Sequence, residues 1–205
     1  MMKDKPWFPV AYMFVVTACF STVLIGFSRL TRERVEANQE IAFERAVLEA
    51  FAEIEVPPTP QIHERFVQLF ERSEQAGGAY VYRKDDRVVG YAVPVAGQGF
   101  WAPIRGIVGV SQDLDTIVGI SFYEQTETPG LGARITEPQF RRQFEGLRIG
   151  QIPTPIGIRP TSVTPADNEV HAITGATQTS VRLERLINED FSAWLEKMQQ
   201  QGDAQ

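Results

Sequence analysis

The sequence predicts an α+β protein, with an antiparallel or mixed sheet flanked by helices and preceded by one N-terminal transmembrane helix. Three observations lead there. No charged residue interrupts the stretch from Trp7 to Phe27. Short extended segments alternate with turn residues through the middle of the chain, and a strongly periodic helical stripe closes it. With 205 residues, the part beyond the apolar stretch suffices for one compact domain. Hydrophobic residues make up 43% of the chain, enough for the body to fold rather than remain disordered.

The apolar stretch comes first. Its roughly 21 residues, at ~1.5 Å each, span about 31 Å, the hydrocarbon thickness of a bilayer. Trp7 and Tyr12 lie toward one end, where interfacial aromatics collect. Lys3 and Lys5 flank one side and Arg29, Arg32 and Arg34 the other, so positive charge does not fix the orientation. Two other uses of such a stretch fit less well. A cleavable signal peptide needs a small-x-small pattern soon after the apolar run, and none follows closely. Val16-Thr17-Ala18-Cys19 loosely resembles a lipoprotein signal, but the apolar run continues from Phe20 to Phe27. Cys19 then reads as an ordinary apolar residue of the helix.

From about Thr31 to Glu53 the pattern continues as helix, with Phe43, Val47, Leu48, Phe51 and Ile54 at helical spacing. Val56-Pro57-Pro58-Thr59-Pro60 stops it, because proline lacks the N–H and restricts the residue before it. A shorter helix is expected near Ile62 to Glu74, with Phe66, Leu69 and Phe70 on one side, ended by Gly77-Gly78. Ala79–Arg83 and Val88–Val95 flank Lys84-Asp85-Asp86-Arg87, a hairpin turn. Ile104–Val110 and Thr116–Tyr123 form a second pair, and Gly97-Gln98-Gly99-Phe100-Trp101 links the two as a loop. A short helix near Pro138–Phe144 and a strand near Ile156–Val163 follow. The last helix, about Thr177–Gln199, repeats Leu183, Ile187, Phe191, Trp194 and Met198 at steps of three and four, a core-packing stripe. The tail from Gln199 to Gln205 reads as disordered.

Composition narrows the function. A net charge of −6 argues against nucleic acid. One cysteine excludes an internal disulfide and cannot hold an iron–sulfur cluster. His63 and His171 stand far apart, so no protein metal site is expected, and no catalytic residue is assigned.

Two segments carry chemistry. Thr126-Glu127-Thr128-Pro129-Gly130-Leu131-Gly132 follows a strand; proline fixes one dihedral and the glycines permit positive φ, so the backbone can form a tight concave loop facing a flat ligand. Taken alone, the segment reads first as an ordinary Pro-Gly turn. Gly132 opens no G-x-G-x-x-G helix, so a dinucleotide-binding reading fails. Ile173-Thr174-Gly175-Ala176-Thr177-Gln178-Thr179 places hydroxyls beside the smallest residues at a helix start. There they can cap the helix, or hold a phosphate against free backbone N–H groups. A phosphate esterified to Thr177 would keep a negative charge near the helix's positive end. An unassisted hydroxyl is a weak nucleophile, so an enzyme would have to make that bond.

The two motifs in this order, behind an N-terminal anchor, resemble the FMN-binding subunit family. Two bacterial membrane complexes share it, the Na+-translocating NADH:quinone oxidoreductase and the Rnf electron-transport complex. The resemblance implies FMN joined through its phosphate to Thr177, the last threonine of Thr174-Gly175-Ala176-Thr177. It implies attachment from FAD by a separate flavin transferase, and it places Glu127, Thr128 and Leu131, with Gly132, near the flavin ring. Gly99-Phe100-Trp101 resembles the family's Gly-Leu-Trp loop, so Trp101 either packs against the isoalloxazine or is a core aromatic of the sheet. Arg159 would complement the flavin or its phosphate, or be a solvated arginine on a strand end. The family's aspartate six residues before the modified threonine is here His171. The implied organisation is an anchor over 1–28, a connecting helix and Pro-rich linker over 29–60, and an FMN-binding domain over 61–205. The implied role is that of an electron-transfer subunit, not a complete enzyme. It would sit in a bacterial inner membrane beside other integral-membrane subunits, its C-terminal domain extracytoplasmic. Other readings that fit the residues are a stand-alone flavoprotein carrier and a membrane-anchored sensor or binding domain without redox chemistry.

Overall fold

The structure, a computed structural model, describes residues 7–202. Lys3 and Lys5, and the end of the C-terminal tail, lie outside the described residues. Two compact units divide the chain, Met1–Glu40 and Ile41–Gln205. The described part of the first is almost wholly helix: α1 (Phe8–Glu49) begins in the apolar stretch and is long and apolar enough there to cross a membrane. Cys19 lies exposed on it.

The second unit takes in residues 41–60, which the sequence pattern places in a connecting helix and linker. Ala46, Val47 and Leu48 of α1 are buried, as are Ala50, Phe51 and Ile54 just beyond it. The helix ends at Glu49, before the prolines, and turns bonded from Phe51 N–H to Leu48 C=O and from Ile54 N–H to Phe51 C=O replace its expected last turn.

Six strands form one antiparallel sheet in sequential order: β1 (Phe70–Arg72), β2 (Tyr80–Lys84), β3 (Arg87–Gln98), β4 (Pro103–Ser111), β5 (Thr116–Glu124) and β6 (Leu147–Arg148). The first hairpin turns at Asp85 and Asp86, both at positive φ, the geometry a two-residue hairpin favours. β7 (Gly157–Arg159) and β8 (Glu169–His171) form a separate parallel pair. The helices are α2 (Ile62–Leu69), α3 (Pro138–Arg141) and α4 (Thr177–Gly202).

The α+β class, the two central hairpins and the terminal helix agree with the sequence reading. Three segments differ. The helix expected over 62–74 stops at Leu69, because Phe70–Arg72 pair with Tyr80–Tyr82 as β1. The strand expected over 156–163 shrinks to three residues. α4 runs on through residues 199–202, which the sequence pattern places in the tail.

Alternation along the strands sorts side chains onto two faces. Val81, Val93, Val95, Ile104, Val108 and Val110 point to one face, where Leu183, Ile187, Phe191 and Trp194 of α4 cover them. Tyr82, Ala92 and Ile107 point to the other, under the end of α1 and α2. The second face is tight. A Cβ on Gly109 or Gly119 would come 2.7 or 2.6 Å from the Ala50 carbonyl oxygen, so only glycine admits that backbone.

Candidate functional site

The site forms where the loop after β5 meets the N-terminus of α4. Glu127 is the hinge between them and is only 5% exposed. Its Oε1 accepts the backbone N–H groups of Phe100 at 2.7 Å and Trp101 at 3.2 Å. Its Oε2 accepts the Thr179 hydroxyl at 2.7 Å. One buried carboxylate thus ties three segments together, and hydrogen bonds of this kind offset its burial. Two glycines make room for it: a Cβ on Gly99 would lie 2.6 Å from Oε1, and one on Gly132 2.8 Å from Oε2.

The loop closes through N–H groups of Leu131 and Ala133 that both donate to the Thr128 carbonyl. Facing it, Gly175 adopts φ +81°, a conformation open to glycine at little cost, which turns the chain into α4. The Ser180 N–H reaches back to the Ala176 carbonyl; earlier N–H groups of a helix have no intrahelical partner. The Thr174 and Thr177 hydroxyls make no hydrogen bond among the described residues, so neither caps the helix. Thr177 stands exposed at its first position.

Between these walls lies an open pocket of about 240 Å³ lined by Phe100, Glu127, Thr128, Leu131, Gly132 and residues 175–179. Two segments read separately in the sequence therefore share one cavity: Glu127, Thr128, Leu131 and Gly132 on one side, and Gly175, Ala176 and Thr177 on the other. Thr174 adjoins it and lines a neighbouring cavity with Arg134, Gln143, Thr161 and His171. Trp101 is 64% exposed, which excludes the core reading. Its indole N–H donates to the Thr128 hydroxyl at 3.1 Å, and its ring meets Phe100 edge-on at 4.8 Å.

Arg159 is not among the pocket residues. Its guanidinium donates to Glu169 at 2.6 Å and to both oxygens of Glu184. Those bonds, Glu184 foremost, raise its pKa. It is neither a ligand of the pocket nor a solvated strand end, but the clasp between β7, β8 and α4. His171 ends β8, and its backbone exchanges hydrogen bonds with the Gln143 side chain. Its Nδ1 is buried with no partner.

Sequence reasoning missed Thr179 and Phe100 as parts of the site. Nothing local marks Thr179, whose partner lies 52 residues away. Phe100 was visible only as part of a loop motif.

The pocket accords with the comparisons. A family model described as an FMN-binding domain matches residues 99–190, which include every wall of the pocket. Over residues 99–190 the chain is thus similar to FMN-binding domains. Among curated relatives, the C subunit of the Na+-translocating NADH-quinone reductase from Chlamydia pneumoniae is 42% identical over 98 residues, 46% of this chain and 31% of its own length. Its counterpart from Vibrio anguillarum is 32% identical over 130 residues, 62% of this chain and 49% of its own length. The chain thus spans about a third to a half of the relatives it matches. A solved structure of the same reductase component from Parabacteroides distasonis has TM-score 0.68 at 22% identity, covering 80% of this chain and 96% of that one. The structure of NqrC from Shewanella oneidensis gives TM-score 0.65 at 19% identity, covering 80% and 99%. These share the fold.

The residues present fit an FMN. Unpaired N–H groups at the start of a long helix suit a phosphate. The exposed Thr177 hydroxyl lies beside them. Phe100 and Leu131, 41% and 43% exposed, offer apolar surface to a flat ring.

Proposed function

We propose that this chain is the membrane-anchored, FMN-carrying subunit of an electron-transport complex of the Na+-translocating NADH-quinone reductase type. The anchor is the apolar part of α1, and the domain beyond it is extracytoplasmic. The observation that carries the reading is the Thr177 hydroxyl: exposed, unbonded, at the first position of α4, in one cavity with Glu127, Thr128, Leu131 and Gly132.

In this reading a flavin transferase presents FAD to the motif. The Thr177 oxygen attacks the phosphorus on the flavin side of the diphosphate, the P–O–P bond breaks, AMP departs, and the hydroxyl proton passes to a base of the transferase. A phosphodiester at Thr177 retains one negative charge, which the N-terminus of α4 favours. When bound, FMN supplies one- and two-electron redox chemistry. The chain's residues do the rest. Thr177 tethers, Glu127 fixes the Phe100–Trp101 loop against α4, and Phe100 and Leu131 shield part of the ring from water. Trp101, held by Thr128, forms the outer edge. Arg159 takes no part, being used by Glu169 and Glu184.

The test is production of the full chain together with a flavin transferase. Yellow colour and in-gel fluorescence that survive denaturation, lost in Thr177→Ala but kept in Thr179→Ala, support the reading. An intact mass equal to the bare polypeptide rejects it. Co-purification with multi-span subunits from native membranes separates a complex subunit from a stand-alone carrier.

A further inference from the structure

We propose that Arg182 sets the redox poise of the flavin site, as an uncompensated cation held against the pocket wall; this rests on the flavin occupying the pocket as above. Arg182 lies on α4 three residues after Thr179 and five after Thr177. Its guanidinium carbon sits 5.8 Å from the centroid of the Phe100 ring, and Phe100 lines the pocket. A cation over an aromatic face is attracted by the ring quadrupole, so Phe100 helps to hold the charge at the pocket wall.

Among the described residues Arg182 has no ion-pair partner, and it combines this with a place against the pocket wall. It is half-buried, and its Nε is buried without a hydrogen-bond partner. Three acids of this part of the fold have partners of their own. Glu184 is taken by Arg159 at 2.9 Å and by the Ile158 N–H. Asp190 accepts the Ala96 N–H at 2.7 Å. Glu127 is filled by the Phe100 and Trp101 amides and the Thr179 hydroxyl. Arg159 shows the contrast: the same side chain, on a neighbouring element, with two carboxylates to itself.

A cation without an ion-pair partner favours whichever state of its neighbourhood carries more negative charge. Every electron that the flavin accepts without a proton adds one negative charge to the ring. Arg182 therefore favours the reduced state and raises the midpoint potential. Loss of a unit charge beside the pocket, at an effective dielectric of ~20, is expected to change the reduced-to-oxidised ratio by on the order of tenfold. That factor is ~59 mV for a one-electron couple.

The experiment is a spectroelectrochemical titration of the full chain, flavin attached, as wild type, Arg182→Lys, Arg182→Gln and Arg182→Met. Attachment is checked first by fluorescence in a denaturing gel, and folding by circular dichroism. The two neutral variants are expected to titrate at a more negative potential, and Arg182→Lys to stay near wild type. Met retains the aliphatic packing and Gln the polar end, so a shift shared by both reports charge rather than shape. Equal potentials in all four proteins overturn the proposal, as does a Lys variant that shifts as far as Gln. Failure of both neutral variants to fold makes Arg182 a structural residue and overturns it too. A wild-type protein without attached flavin is a different failure, visible in the gel, and takes down the reading of the pocket itself.

Discussion

The two faces of the sheet solve burial differently. Toward α1 and α2 the packing is aromatic. Phe51, Phe70 and Tyr82 meet ring to ring at 5.1–5.4 Å, and Phe43 contacts Phe66, Tyr80 and Tyr123 at 5.3–6.3 Å. Toward α4 it is mainly aliphatic, and the buried helix side chains include polar ones, each with its own partner. Asn188 exchanges hydrogen bonds with the Ile156 backbone, Ser180 donates to Ala176, and Thr179 donates to Glu127. Interlocked rings give area without direction, whereas paired polar groups fix register. The α1 face has directional bonds as well, such as Ser121 donating to Glu49, but on the α4 face they fix a loop and a helix start in one geometry.

That contrast can be broken most sharply at Thr177. Thr177→Val is expected to abolish denaturation-resistant flavin fluorescence altogether while moving unfolding free energy by no more than ~0.5 kcal/mol, as for an exposed side chain without partners. A variant that loses flavin by losing its fold would erase the distinction. On the aromatic face the reverse holds. Phe51→Ala should cost ~3–5 kcal/mol in urea unfolding, yet keep its flavin when produced at low temperature. Glu127 joins the two effects. Glu127→Ala leaves two amides and one hydroxyl without an acceptor, at ~1–3 kcal/mol, and should lower flavin incorporation because the Phe100–Trp101 loop is released; unchanged incorporation with lowered stability would confine Glu127 to architecture.

The smallest effect sharpens the clasp beside the site. The Ala166 amide, and after it Arg159, hold the Glu169 carboxyl below the ordinary carboxylate range. A depressed folded-state pKa stabilises above the unfolded value, ~4.3 for Glu, and that contribution fades as pH falls through the folded value. Thermal melts of wild type and Glu169→Gln should therefore differ at neutral pH and converge in acid, once the pH has fallen through the folded-state value. A gap that persists in acid would assign the effect to shape rather than charge.

Much of this was legible in the chain because the signals are local. Asp85-Asp86 between alternating segments announces its hairpin, and the Leu183–Trp194 stripe announces its helix. The two motifs announce the pocket because each carries glycine where the other wall comes close. What stayed hidden depends on distant partners. Phe70-Glu71-Arg72 continues a helical pattern, and only pairing with β2 makes it a strand. Arg159 looks available until Glu169 and Glu184, 10 and 25 residues on, close around it. The aromatic spacing before Pro57 correctly marks burial of Phe51 and Ile54, but the helix itself ends earlier, where Ala50 seats its carbonyl on Gly109 and Gly119.

Gly175 has a consequence for biogenesis. By bending the chain outward with no side chain of its own, it leaves the acceptor oxygen on the rim of an already assembled scaffold. If the flavin is attached there as proposed, attachment would follow folding as a late finishing step, and a cell short of riboflavin would accumulate a soundly folded apoprotein.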